Sequence, residues 1–284
     1  MPRMLYCACM AKPDVDEELI KHAWYTYLTT GNMPRRLHAP WFERKSLRPL
    51  IKRIPKSPRC RICYLPFDGI GGYFCKTLLG VEPSTLHPHL CNLCERFATK
   101  YHGGVELEIS IMFVDVRGST PMAETLSAEQ FSKKINRFYR AATDVFYKHN
   151  GLVEKLLGDE VAGFFVPGFA GPSYARTAVQ AGIETLKVMG YGSSSGPWIP
   201  VGVGIHTGVA YIGSVSAEGG VSNISMLGDA VNTAARLTSL AAQGELLMSE
   251  ETRVAAGWEI GTMESRCLNL KGKSKTVDAW ALRV

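Results

Sequence analysis

The 284-residue chain contains no apolar run of the roughly 18 residues that a membrane-spanning helix needs. Its first residues, MPRMLYCACMAKPDVDEEL, turn acidic before the apolar core of a signal peptide can form. Neither secretion nor membrane insertion is expected, and a cytoplasmic location is. Beyond Gly104 there is one cysteine, Cys267, so disulfides do not staple the larger part of the chain. At 46% hydrophobic and 20% charged, the composition is not that of a disordered or fibrous protein. A chain this long can bury a core without cross-links.

What is present is unevenly distributed. Residues 1–104 carry 16 Lys and Arg against 8 Asp and Glu, whereas residues 105–284 carry 16 against 18. Seven of the eight cysteines lie in the first part. Two domains are expected: a basic, cysteine-rich front over 1–104 and a mildly acidic body over 105–284. In the front, residues 16–30 have the apolar spacing of a helix, with Gly31-Asn32 as its stop. The basic stretch from Arg35 to Arg61 reads as a solvated connector. It lacks the interleaved aromatics of a nucleic-acid surface, so no nucleic-acid partner is expected.

Cys60-x-x-Cys63 and Cys91-x-x-Cys94 form two matched pairs. Two thiolates separated by two residues can face one ion, and two such pairs complete a tetrahedral four-sulfur site. Gly69, Gly71 and Gly72 between the pairs suit a tight hairpin, and the residues after Cys94 read as a helix. This order resembles a treble-clef zinc module. Structural zinc is the expected occupant, with an iron–sulfur cluster as the alternative and Cys75 as a spare thiol for it. His87 and His89 could replace a cysteine, although Pro88 between them fits a turn. No role is assigned to Cys7 and Cys9.

From Glu106 onward strands and helices alternate. LEISIMFVDV reads as a buried strand ending in Asp115, and RGST as a turn into a helix. A long amphipathic helix precedes the hairpin GLVEKLLGDEVAGFFVP, whose turn is Gly158-Asp159. A second helix, PSYARTAVQAGIETLKVMG, is followed by WIPVGVGIHTGVAYIGSV, expected as a pair of strands. ISMLGDAVNTAARLTSLA runs from strand into helix, and the last strands close the chain. The order βαββαβ predicts an α/β (α+β) sandwich of the ferredoxin-like type.

FVDVRGST, EKLLGDEVAGFF, VGVGIHTGVAYIGSV and MLGDAVNTAARL, in this order and spacing, resemble the catalytic domain of class III nucleotidyl cyclases. The resemblance covers residues 105–284. It implies attack of a nucleotide 3′-hydroxyl on the α-phosphorus with departure of pyrophosphate, assisted by two Mg²⁺ or Mn²⁺ ions. Asp115 and Asp159 match the family's metal aspartates, with the Val116 carbonyl as a further ligand. The amides of Arg117, Gly118, Ser119 and Thr120 would face the triphosphate. Lys155 and Ser225 match the base-selecting positions. Lysine can donate to adenine N1, and serine can accept from the adenine amine, so the pair favours ATP while leaving some use of GTP open. Asn232 and Arg236, four apart on one helix face, match the ribose-orienting asparagine and the arginine that stabilises transition-state charge. Lys271 matches a lysine on the terminal phosphates, while Lys273 and Lys275 read as solvated.

Some cyclases carry a phosphate-binding arginine upstream of the Ser225 position, and SVSAEGGVSNIS has none. Asp229 reads as a helix cap and His206 as a buried histidine ending a strand. Serine at 225 associates the chain only loosely with a bicarbonate-responsive subgroup. In the family, metal aspartates and the Asn–Arg pair come from opposite protomers, so a chain carrying both sets is expected to work as a homodimer. The expected activity is adenylate cyclase, forming cyclic AMP for signalling. Guanylate cyclase, or an inactive nucleotide-binding or zinc-dependent regulatory protein, stands as the alternative.

Overall fold

The computed structural model describes residues 17–31, 58–60, 65–84, 91–95, 102–216, 222–270, 272 and 276–284. In chain order its elements are α1 (Glu17–Thr30), α2 (Gly69–Leu79), β1 (Gly103–Val116), α3 (Ser119–Thr125), α4 (Ala128–Lys148), β2 (Leu152–Leu157), β3 (Glu160–Phe165), α5 (Pro167–Ala170) and α6 (Tyr174–Val188). There follow β4 (Val201–Ser216), β5 (Ser222–Leu227), α7 (Asp229–Leu240), β6 (Glu245–Ser249), α8 (Glu250–Ala255), β7 (Glu264–Leu268) and β8 (Val277–Arg283).

One sheet in the order β2-β3-β1-β4-β6-β8-β7 organises the chain, with β5 paired to β4. Each of the first four strands of that order runs antiparallel to its neighbour within that group. With α4 and α6 as the two crossovers, they form the βαββαβ unit expected from the sequence. β4 then pairs parallel with β6. The segment read as two strands is instead the single strand β4, hydrogen-bonded to β1 from Val116↔Val201 to Gly103↔Ser214. Its glycines at 202, 204, 208 and 213 are not turn residues. They let neighbouring groups approach the strand, and a Cβ at Gly204 would lie 2.3 Å from the Thr238 amide of α7.

The strand period of two divides β1 between two cores. Met112, Val114 and Val116 pack with Phe138, Phe146, Ala178 and Val179 of α4 and α6. Val105, Ile109, Ile111 and Phe113 face the other way. There they share a buried cluster with Ala230 and Ala234 of α7, with Trp24, Tyr27 and Leu28 of α1, and with Cys60, Cys91 and Cys94. Helix α1 and the buried cysteines of the front are thus packed on the sheet face opposite α4 and α6. Ser127 caps α4 in a reciprocal box with Gln130, which starts the helix at its predicted place.

Gly69, Gly71 and Gly72 do not make a hairpin. They open α2, where the Asp68 side chain accepts the Gly69 amide at 2.7 Å and Gly80, at φ 61°, ends the helix. Helical packing explains the small residue at 72, since a Cβ there would come within 2.5 Å of the Phe67 backbone. The chain enters and leaves this segment through the bridges Arg59↔Pro66 and Pro83↔Cys91.

Candidate active site

β1 ends beside the β2–β3 hairpin turn, because its antiparallel register with β3 sets Asp115 opposite Glu160. The Val116 amide donates to the Asp159 carbonyl at 3.0 Å. Gly158, at φ 61°, supplies the left-handed residue of the turn. The Tyr139 hydroxyl of α4 donates to the Gly158 carbonyl at 2.5 Å and steadies the turn from outside. Asp115 and Asp159 are thereby held at one end of the sheet.

The electrostatics are those of crowded acids. Burial pushes the Asp115 carboxyl up and the Asp159 charge adds to it, while Arg117, with Nη1 3.3 Å from Oδ1, opposes both. Glu160 is also raised, first by burial and then by Asp115 and Asp159. These are hard oxygen donors whose mutual repulsion a divalent cation would relieve. The donor set suits magnesium or manganese rather than a softer metal.

Beyond β1, the Arg117 amide donates to the Pro200 carbonyl at 2.8 Å. Gly118 takes φ 67° and starts α3, so Ser119 and Thr120 form its first turn. The Arg117 side chain was legible from sequence only as a backbone donor. It bridges the Asp115 carboxylate and the Thr238 carbonyl near the C-terminal end of α7. Gly202 makes room for it, and the small residue in VGVG was its one sequence signal.

α7 buries Ala230, Thr233, Ala234, Leu237 and Thr238 against the sheet. Asn232 and Arg236 occupy its exposed face, one turn apart. Asp229 is not the cap. Gly228 holds that position, and Asp229 is the first helical residue, where its charge favours the helix dipole.

Lys155 is exposed on β2, and Ser225 is half-buried on β5 opposite Gly213 of β4. Between these strands lies Glu154, which the sequence reading missed. Its carboxylate accepts the Met226 amide at 3.1 Å. Burial holds that carboxyl above the usual range, against the Met226 amide, the Lys155 charge and a hydrogen bond from the Ser225 side chain. An acid inside the apolar run of the hairpin was the signal available. His206 lies within β4 rather than at its end, with Nδ1 2.8 Å from the Ser249 hydroxyl. Lys271, Lys273 and Lys275 lie outside the described residues.

A second cluster lies in the front of the chain. The sulfurs of Cys60, Cys91 and Cys94, all buried, are within 4.8 Å of one another. The Cys91 amide donates to the Cys60 sulfur at 3.2 Å and the Cys94 amide to the Cys91 sulfur at 3.4 Å. Amide donors of this kind favour a thiolate, the form that binds metal. These three residues can hold a metal ion. Burial and the neighbouring Cys91 raise the Cys75 thiol, which suits a packed, protonated side chain. Cys63, Cys7, Cys9, His87 and His89 lie outside the described residues. Among the described residues no helix is long and apolar enough to cross a membrane.

Comparison with known proteins adds an independent observation. Residues 105–283 match the family described as Adenylate and Guanylate cyclase catalytic domain. An uncharacterized protein of Mycobacterium tuberculosis strain H37Rv is 29% identical over 168 residues, which is 56% of this chain and 29% of that protein. An adenylate cyclase of Anabaena cylindrica is 27% identical over 139 residues, which is 48% of this chain and 28% of that protein. The chain therefore spans under a third of the length of these curated relatives. Among solved structures, the adenylyl cyclase CyaB from P. aeruginosa aligns with a TM-score of 0.55 at 27% identity, covering 63% of this chain and 95% of that one. The guanylyl cyclase Cya2 aligns with a TM-score of 0.56 at 28% identity, covering 63% and 93%.

Proposed function

The chain belongs to the adenylate and guanylate cyclase catalytic-domain family, and from that premise we propose that it is an adenylate cyclase working as a homodimer. The observation that supports this reading best is the division of the site residues. Asp115 and Asp159 meet at the end of β1, whereas Asn232 and Arg236 project from α7 away from their own sheet. A second copy placed head to tail would bring each half to the other and complete two sites.

In this mechanism Asp115, Asp159 and the Val116 carbonyl would hold divalent magnesium or manganese. When bound, these ions supply Lewis-acid stabilisation, easing ionisation of the 3′-hydroxyl and neutralising phosphate charge. The amides of Gly118 to Thr120 face the triphosphate, that of Arg117 being taken by the Pro200 carbonyl, and Lys271, outside the described residues, is assigned to the terminal phosphates. From the partner, Lys155 donates to adenine N1 and Ser225 accepts from the adenine amine. Asn232 orients the ribose so that the hydroxyl lies in line with the α-phosphorus. Arg236 stabilises the negative charge that builds there, a fixed cationic donor of the kind that dominates such catalysis. The Arg117 guanidinium positions Asp115.

The experiment is product analysis with the purified chain, ATP and GTP supplied separately with Mg²⁺ or Mn²⁺. Cyclic AMP and pyrophosphate in equal amounts are expected, and cyclic GMP formed in preference reassigns the substrate.

We also assign the thiol cluster to zinc, held by Cys60, Cys91 and Cys94 with Cys63 as the fourth ligand. A closed four-sulfur site has a structural role, and an iron–sulfur cluster would instead colour the protein.

A further inference from the structure

The Arg117 guanidinium is shared between two parts of the fold. Nη1 lies 3.3 Å from Asp115 Oδ1 at the end of β1, and Nη2 donates to the Thr238 carbonyl near the end of α7. A planar fork of donors can hold a carboxylate on one prong and a carbonyl on the other. The Thr238 carbonyl also accepts the Ala241 amide at 3.1 Å, at the end where a helix has spare acceptors and a negative dipole. Arg236 stands two residues before Thr238, and Asn232 a further turn back. The Arg117 and Asp115 side chains are both mostly buried. The fork fills the slot left by Gly202, whose strand neighbour is Asp115.

In a head-to-tail homodimer the two ends of this fork serve different sites. Asp115 of one chain works at one site, whereas Asn232 and Arg236 on its α7 complete the other. We propose that Arg117 is a positioning residue for both, and that through it the loading of one site tightens the other. The inference rests on the reading of the protein as a head-to-tail homodimer. With no ion at Asp115, the guanidinium divides its charge between that carboxylate and the end of α7. A divalent ion held by Asp115 would be the stronger counter-charge and would repel the guanidinium, in a mostly buried setting that screens such forces weakly. The guanidinium is then left to the Thr238 carbonyl, where a cation suits the helix end. α7 is held more firmly, and with it the Asn232 and Arg236 that the second site needs. The converse follows, because coupling between two binding sites is reciprocal. An α7 drawn into place by nucleotide keeps the guanidinium at Thr238 and frees Asp115 for its ion. Each chain of the dimer carries one such link.

The test is calorimetric titration of the full chain with 3′-deoxy-ATP, which lacks the attacking hydroxyl, in the presence of Mn²⁺. Wild type is compared with R117M and R117K. Methionine removes the charge, while lysine keeps it but cannot fork between two acceptors. Wild type is expected to bind two nucleotides per dimer, the second about tenfold more tightly than the first, a usual scale for coupling between sites. Both variants should bind two with a single affinity. Variants that bind more weakly yet keep the wild-type ratio would show that Arg117 only shapes its own site, and the proposal is overturned. Should R117M not fold or not dimerise, R117K carries the test. Two equal and independent sites in wild type overturn the proposal without any variant. A chain that stays monomeric at the titration concentration, or binds no 3′-deoxy-ATP, defeats the parent reading as well. A two-site homodimer without coupling defeats this one alone.

Discussion

Gly202 and Arg117 fit together only because residue 202 has no side chain: an added Cβ would lie 2.7 Å from the Arg117 Nε and 2.8 Å from Nη2. Gly202 is also the β4 partner of Asp115 in the strand register. Three residues therefore share one spot, and the arginine occupies the space that the glycine leaves. Gly202→Ala is expected to displace the guanidinium from Asp115 and Thr238, costing about 1–2 kcal/mol by overpacking. Turnover should fall further than that loss of stability explains. At Gly204 the obstacle is the Thr238 backbone, which cannot swing aside. Gly204→Ala should therefore be the more destabilising of the two in thermal unfolding, and the reverse order would refute this packing account.

Asp115 is expected to be needed for turnover but not for folding. Its carboxyl is raised by burial, so the ionised form is a net strain on the folded state at neutral pH. Asp115→Asn should leave the melting temperature unchanged or higher while lowering kcat at least about a hundredfold, the scale of a lost metal ligand. A matched fall in both would mean that the residue is structural.

Mixing two dead variants tests the shared site directly. Asp115→Ala and Arg236→Ala should each be inactive alone. Mixed under conditions that exchange subunits, they should recover about a quarter of the wild-type sites, because each heterodimer keeps one site intact. No recovery, with heterodimers demonstrated by mass, would place all the residues of a site in one chain.

The thiol cluster predicts a metal that can be counted. The purified chain should carry about one zinc and lack visible absorption, and replacement by cobalt should give the spectrum of a tetrahedral thiolate site. Cys60→Ser should lower the metal content and the melting temperature together, since Cys60 lies in the same buried cluster as Ile109 and Phe113. Asp115→Asn should leave zinc untouched. A chain that is metal-free yet equally stable would reject the assignment.

Away from the site, Glu245 is fully buried, and Arg266 grips it with Nη1 to Oε2 at 2.9 Å and Nη2 to Oε1 at 2.7 Å. Burial alone would raise this carboxyl, but Arg266, the Ala242 amide and Arg283 together hold it below the usual glutamate range. A lowered folded pKa means that its stabilisation is present above the unfolded value and fades as pH falls through the folded one. Glu245→Gln should cost about 3 kcal/mol at neutral pH. The gap to wild type in pH-dependent unfolding should close toward acid, and a gap that persists there would show the loss to be packing.

The sequence made the elements visible where spacing encodes a face. The apolar positions of α4, the run into Asp115 and the Gly158-Asp159 turn all lie where the pattern put them. It misjudged glycine twice. In FDGIGG the residues sit on a helix because Asp68 caps it and Phe67 crowds residue 72. In VGVGIHTGV they are mid-strand, since what needs the space lies across the sheet in Arg117 and Thr238. No local pattern records a neighbour so distant in the chain. Glu154 and the Arg117 side chain escaped notice for the same reason, because their partners, Met226 and Thr238, come from other elements.

The packing of α1 against β1 bears on how this protein can be handled. Trp24, Tyr27 and Leu28 shield Val105, Ile109 and Ile111 from water. A fragment cut to begin at the first catalytic strand would bare that oily wall and invite clumping. Anyone trimming the molecule for crystals or assays should keep the leading helix attached.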